Sequence, residues 1–245
     1  PAPIYTIGPI IHNPQIIADL QRRGAIIARD VDDVPEGAVC VVRAHGLPKD
    51  AYERLERAGR TVIDTTCPFV SKIQKIVSDA AEADHYVLIA GDERHPEVIG
   101  IVGYAQKDKC FVFENAQQLS QIIQFFSRKN KAFVDVVAQT TFSVKEFEKC
   151  KKIIKKAFKN SIIYDTICNA TELRQKETAA LAAECDAFFV VGGRESSNTN
   201  KLFHIASSVC PNTFLIESES EIPIQTIKEF NKIGITAGAS TPDCV

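Results

Sequence analysis

Val87-Leu88-Ile89-Ala90-Gly91, followed four residues later by His95-Pro96, reads as a buried strand that breaks at glycine and restarts as a helix. The same order occurs twice more, in Tyr5-Thr6-Ile7-Gly8 before His12-Asn13 and in Phe188-Phe189-Val190-Val191-Gly192-Gly193 before Ser197-Asn198. Short apolar runs that alternate with 3.6-period stretches predict parallel α/β architecture. Each of the three turns sets small donors at a helix N-terminus, where free N–H groups and the dipole favour an anion.

Two further elements repeat. A strand ending in alanine and small polar residues appears as Val41-Val42-Arg43-Ala44-His45-Gly46, Val136-Val137-Ala138-Gln139-Thr140-Thr141 and Ile235-Thr236-Ala237-Gly238-Ala239-Ser240. A strand ending Asp-Thr-x-Cys appears as Asp64-Thr65-Thr66-Cys67 and Asp165-Thr166-Ile167-Cys168. Each cysteine opens a predicted helix, Pro68 to about Ala83 and Asn169 to about Ala183. Repetition in order predicts three pseudo-symmetric α/β lobes, 1–67, 68–164 and 165–245, whose matching turns converge. The missing copy of the cysteine element would precede residue 1, and a chain without methionine reads as truncated at its N-terminus.

The bulk numbers narrow the class. With 245 residues, 45% apolar and 24% charged, the chain is an ordinary globular protein with ample core. A net charge of −2 argues against nucleic acid or an acidic membrane surface as partner. No apolar run approaches the roughly 20 residues of a membrane span, and no signal-peptide pattern opens the chain. Eight scattered cysteines without a C-x-x-C pair imply reduced thiols in a cytoplasmic protein, Cys40 and Cys185 among them as core residues. The basic stretch Lys145 to Lys159 predicts an outer, solvated helix.

Parallel α/β sheets bind ligands at the carboxyl ends of their strands, where all the repeated polar residues fall. Ser196, Ser197, Asn198, Thr140, Thr141 and Ser240 supply neutral donors, and His12, His45 and His95 add charge when protonated. The set predicts a phosphate or diphosphate pocket; singly, each hydroxyl or amide also suits helix capping. Cys67 and Cys168 stand where a helix dipole favours a metal-binding thiolate. A third thiolate from the preceding copy would give three ligands on a cubane cluster, with one iron open. Glu97, in a first helical turn beside the pocket, suits a proton donor or a surface cap. His85 and His204 lie outside the repeats and read as structural. Two other readings stay open: a non-catalytic phosphate-ligand binder with inert cysteines, and a three-lobed zinc hydrolase using the histidines.

Taken together, Ile11-His12-Asn13, Ala44-His45-Gly46, Asp64-Thr65-Thr66-Cys67-Pro68, His95-Pro96-Glu97, Gln139-Thr140-Thr141, Cys168-Asn169-Ala170-Thr171, Ser196-Ser197-Asn198-Thr199-Asn200 and Thr236-Ala237-Gly238-Ala239-Ser240 resemble the motif series of the 4-hydroxy-3-methylbut-2-enyl diphosphate reductases, the LytB or IspH family. The resemblance runs nearly end to end. It implies a trefoil of three α/β lobes around a central 4Fe–4S cluster, with Cys67 and Cys168 as two of its three cysteine ligands. The family's first cluster cysteine lies in an F-C-x-G-V segment that this sequence lacks; Cys244 has no counterpart in the repeat. The implied reaction is reductive dehydroxylation of an allylic diphosphate to isopentenyl and dimethylallyl diphosphate, ending the methylerythritol phosphate route to isoprenoids. By the same resemblance His12, His45, His95, Thr140, Thr141, Ser196, Ser197, Asn198 and Ser240 bind substrate. Glu97 and Thr140 carry the proton path, and reduced ferredoxin or flavodoxin supplies electrons.

Overall fold

The computed structural model describes residues 2–11, 13–126 and 132–242. The chain forms two compact units, one of Pro1–Ile10 with Arg23–Ile167 and the other of Ile11–Arg22 with Cys168–Val245.

The first unit holds two four-stranded sheets. One is built from β1 (Ile4–Ile7), β2 (Ala25–Ala28), β3 (Val39–Val42) and β4 (Thr61–Asp64), in the order β2-β1-β3-β4. Helix α1 (Pro14–Arg22) lies in the second unit, while α2 (Lys49–Arg57) stays with this sheet. Ala51 and Leu55 of α2 close a core over Ile7, Ala28, Cys40 and Val42, the inward residues of three strands. Alternation along β3 puts Cys40 and Val42 on that face, as the pleat requires.

The other sheet of this unit follows α3 (Pro68–Glu82). It comprises β5 (Tyr86–Ala90), β6 (Cys110–Phe113), β7 (Phe133–Ala138) and β8 (Asn160–Ile163) in the order β6-β5-β7-β8. Helices α4 (Pro96–Val102), α5 (Ala116–Phe125) and α6 (Val144–Ala157) fill its crossovers. Its central strands are buried on both faces, which explains their continuous apolar runs. Val87 and Ile89 of β5 pack with Ile73 and Val77 of α3 and with Val98 and Ile101 of α4. Leu88 and Ala90 pack on the opposite side with Leu119 of α5 and with Phe147, Cys150 and Ile154 of α6. Ser143 caps α6 by accepting the Glu146 N–H at 3.3 Å, and Phe158, in extended conformation, ends it. The basic helix is therefore slightly shorter than charge patterning alone predicts.

The second unit carries a three-stranded sheet, after α7 (Asn169–Ala182). Its strands are β9 (Ala187–Val191), β10 (Thr213–Ile216) and β11 (Ile233–Ala237), in the order β10-β9-β11, with α8 (Ser197–Ser207) and the short α9 (Ile224–Ile227) in the crossovers. Phe188 and Val190 pack with Ala182, Leu202 and Ala206. The opposite face, with Phe189, Val191, Ile216, Ile233 and Ile235, lines a groove of about 480 Å³. Every strand pairing in the three sheets is parallel, so each sheet gathers its strand-to-helix turns at one end.

One close approach fixes the turns of the second unit. Thr199, fully buried on α8, presses its side chain between the ends of β9 and β11. A Cβ at Gly192 would lie 2.8 Å from Thr199 Oγ1, and one at Gly238 would collide with it. Gly192 also has φ +149°, a conformation side chains disfavour. Gly238→Ala should therefore cost about 1–3 kcal/mol of unfolding free energy by overpacking, measurable by urea titration. An unchanged midpoint would show that Thr199 yields freely.

Candidate active site

The β5 and β7 turns build a hydrogen-bonded core in the first unit. Residue His95, 9% exposed, is the N-cap of α4 and accepts the Glu97 N–H on Nδ1 at 3.1 Å, with Pro96 in the first turn. An accepting Nδ1 carries no proton, so in this arrangement the ring is neutral and its donor is Nε2–H. The His45 ring, on the turn after β3, meets the His95 ring edge-on, with centroids 5.2 Å apart. Glu97 is 2% exposed, and Thr140 bonds to both its oxygens. Thr140 donates its N–H to Oε1 at 2.6 Å and its hydroxyl to Oε2 at 2.7 Å. Helix α4 thus presents an inward carboxylate to the end of β7, a placement the sequence left open between burial and surface capping.

Cys67 joins this group through the backbone: its N–H donates to the Ala44 carbonyl at 3.0 Å, next to His45. Its thiol is free and half-buried at the N-cap of α3, with no side-chain capping bond. Cys168 stands in the same relation to α7 in the second unit, again free and half-buried. Other thiols differ in kind. Burial pushes Cys40 up, Cys110 up to about 12 and Cys150, helped by Glu146, up to about 11, so these remain protonated core residues. Among the described residues no group of three or more His, Cys, Asp or Glu gathers as a metal site.

In the second unit, taken by itself, the expected residues lie at the start of α8 and the end of β11. Ser196 caps α8, its Oγ accepting the Thr199 N–H at 3.3 Å, which is the ordinary use of a serine there. Ser197 follows, half-buried. Asn198 is 5% exposed, and neither its Oδ1 nor its Nδ2 meets a partner among the described residues; the same holds for Ser240 Oγ. Such buried, unsatisfied polar atoms are rare and costly in native folds unless a ligand completes them. Asn13 caps α1, accepting the N–H groups of Gln15 and Ile16 at 3.0 and 3.1 Å. His12 and Cys244 lie outside the described residues. The unrepeated histidines stand elsewhere: His85 pairs with Asp135 at 2.7 Å and stacks on Phe133, and His204 is exposed on α8.

Three residues that sequence patterning did not single out belong to these turns. They are Gln139, Thr199 and Arg43, whose guanidinium lies against Gly8. Each stands beside a strand-end glycine, the one signal in the sequence that marks such close approaches.

Comparison with known proteins covers the chain from end to end. The sequence profile of the family described as LytB protein matches residues 1–245. The protein named 4-hydroxy-3-methylbut-2-enyl diphosphate reductase from Caldanaerobacter subterraneus subsp. tengcongensis is 40% identical over 244 residues, 99% of this chain and 82% of that protein. Its namesake in Aquifex aeolicus is 36% identical over 244 residues, with the same 99% and 82% coverage. Among solved structures, the E-1-hydroxy-2-methyl-but-2-enyl-4-diphosphate reductase of Plasmodium falciparum superposes with a TM-score of 0.90 at 29% identity, covering 99% of this chain and 76% of that one. A structure of (E)-4-hydroxy-3-methyl-but-2-enyl diphosphate reductase, titled the terminal enzyme of the non-mevalonate pathway, gives 0.68 at 35% identity, covering 100% of this chain and 85% of that one.

Proposed function

We infer that this chain, which belongs to the LytB protein family, is a 4-hydroxy-3-methylbut-2-enyl diphosphate reductase, an oxidoreductase that ends the methylerythritol phosphate route to isoprenoids. Its reaction removes an allylic hydroxyl and yields isopentenyl and dimethylallyl diphosphate. The carbon–oxygen bond breaks as two electrons enter; one proton turns the departing hydroxide into water, and a second adds to carbon.

The Glu97–Thr140 pair carries this reading. A carboxyl group removed from water, with both oxygens in hydrogen bonds to Thr140, is built to hold a proton and hand it on through that hydroxyl. When protonated at Oε2, Glu97 donates to Thr140 Oγ1, the reverse of the bond made by the carboxylate, and the threonine's own hydroxyl proton passes to the hydroxyl of the substrate. His45 and His95 donate to the diphosphate from the first unit, with Thr141 beside them and His12 assigned by its motif. From the second unit Ser196, Ser197, Asn198 and Ser240 do the same. The unsatisfied amide of Asn198 and hydroxyl of Ser240 support their part.

Cys67 and Cys168 are the cluster ligands in this proposal, supported by their free, half-buried thiols at matching helix N-caps. A 4Fe–4S cluster bound there supplies the two electrons and a Lewis acid for the hydroxyl. Reduced ferredoxin or flavodoxin is the proposed donor, and the cytoplasm the proposed compartment, a reading the free cysteines support. We propose lobes 1–67, 68–164 and 165–245, a division supported by one sheet lying in each interval.

Inorganic diphosphate titrated against the protein tests the pocket. It should raise the melting temperature, and Asn198→Ala should weaken its binding about 10-fold. Equal affinity in the variant would remove Asn198 from the pocket.

A further inference from the structure

The two Asp-Thr-x-Cys turns use their first threonine in the same way. Thr65 donates its hydroxyl to the Val42 carbonyl at 2.5 Å, and Thr166 donates its own to the Ala138 carbonyl at 2.8 Å. The next position differs, with Thr66 in one turn and Ile167 in the other. The aspartates differ in partner too: Asp165 pairs with Lys151 of α6, whereas Asp64 meets Tyr52 of α2. A hydroxyl ahead of the cysteine is therefore not needed to form the turn. What Thr66 adds beside Cys67 must be sought in its own contacts.

Those contacts tie the turn to α2 and to the end of β4. Asp64 Oδ1 accepts the Thr66 N–H at 2.9 Å and the Thr66 hydroxyl at 2.5 Å. Tyr52 Oη lies 2.9 Å from Thr66 Oγ1 and 3.2 Å from Asp64 Oδ2. The one hydroxyl proton of Thr66 goes to Asp64, so the tyrosine is the donor to the threonine oxygen. Burial, together with the Asp64 charge, pushes the Tyr52 hydroxyl up to about 12, which keeps it a donor. The Tyr52 ring packs against the core beneath α2, and Thr66 Cγ2 abuts Gly46, where a Cβ would lie 3.1 Å from it. Every backbone N–H from Thr65 to Cys67 is thereby accounted for: Thr65 donates to Val42 at 3.1 Å, Thr66 to Asp64, and Cys67 to Ala44 at 3.0 Å.

We propose that Tyr52 is a positioning residue for the Cys67 thiol, fixing the turn ahead of it through Thr66 and Asp64. The proposal rests on the functional reading above, in which Cys67 is a cluster ligand. It adds a residue that acts on that ligand only through the backbone of its turn.

Tyr52→Phe keeps the ring and removes only the hydroxyl. In cluster-free protein, amide hydrogen exchange at Thr66 and Cys67, followed by NMR, should quicken about 5-fold, the equivalent of one net hydrogen bond. Exchange at Ile167 and Cys168 should not change. Thr66→Val should give a similar rise, and adding Tyr52→Phe to it should cost little more. After anaerobic reconstitution, a chelator should strip iron from Tyr52→Phe about 5-fold faster than from wild type. Leu55→Val, at a buried position of the same helix, separates positioning from general stability. It should lower the melting temperature and leave iron loss at the wild-type rate.

Unchanged exchange in Tyr52→Phe, an equal rise in both cysteine turns, or full additivity with Thr66→Val would overturn the proposal. So would iron loss that follows the melting temperature through Tyr52→Phe and Leu55→Val alike. If Tyr52→Phe fails to fold, Thr66→Val decides both measurements. Wild-type protein that takes up no iron and sulfide would refute the functional reading, whereas a loaded wild type with unaffected variants would refute only the role of Tyr52.

Discussion

Replacing Glu97 with glutamine should lower kcat by about 100-fold or more while leaving KM and the melting temperature close to wild type. Geometry allows the separation. The Glu97 oxygens accept the Thr140 N–H at 2.6 Å and the Thr140 hydroxyl at 2.7 Å. A glutamine oxygen can keep the first bond, and its NH₂ can meet the threonine oxygen once that hydroxyl rotates. Packing in the 2%-exposed site is then little disturbed, but the group no longer exchanges a proton. Thr140→Val should show a related loss, because the relay hydroxyl disappears. A kcat within a few-fold of wild type for Glu97→Gln would reject the proton path through this pair.

Removing either proposed sulfur ligand should have the other large effect. Cys67→Ser and Cys168→Ser should each abolish most bound iron and acid-labile sulfide after anaerobic reconstitution, and turnover with them. Cys40→Ser should leave metal content intact, at some cost in stability. The contrast follows from position. Cys67 and Cys168 are half-buried thiols at the mouths of α3 and α7, whereas Cys40 lies wholly buried beneath α2, with its thiol held protonated by burial. Iron and sulfide at wild-type levels in Cys67→Ser would move the proposed cluster elsewhere.

Much of this arrangement was legible in the sequence because its signals are local. Strand-ending glycines, N-capping residues and Pro68 or Pro96 in a first turn act within a few residues, and the helices begin where those residues place them. Where neighbouring signals compete, the boundaries move. Strand β3 ends at Val42, before the Ala44-His45-Gly46 turn, and α6 begins at Val144 because Ser143 caps it. The depth of Glu97 was not legible, since it depends on β5 and β7 lying side by side so that α4 faces Thr140. Gln139 was hidden for the same reason: its partners Asp92 and Thr141 come together only through the Ala90↔Ala138 register. Thr199 likewise owes its place to two glycines just past the ends of separate strands, Gly192 and Gly238. Sequence periodicity reports which face of an element is apolar, but not which buried polar groups meet across elements.

The most direct test of the central claim is an anaerobic assay of the protein reconstituted with iron and sulfide, chemically reduced and supplied with 4-hydroxy-3-methylbut-2-enyl diphosphate. Electrons consumed are counted against products formed. Isopentenyl and dimethylallyl diphosphate should form at two electrons per molecule, with formation nearly lost in Glu97→Gln. A reduced, iron- and sulfide-loaded protein that binds the substrate and leaves its hydroxyl in place would contradict it.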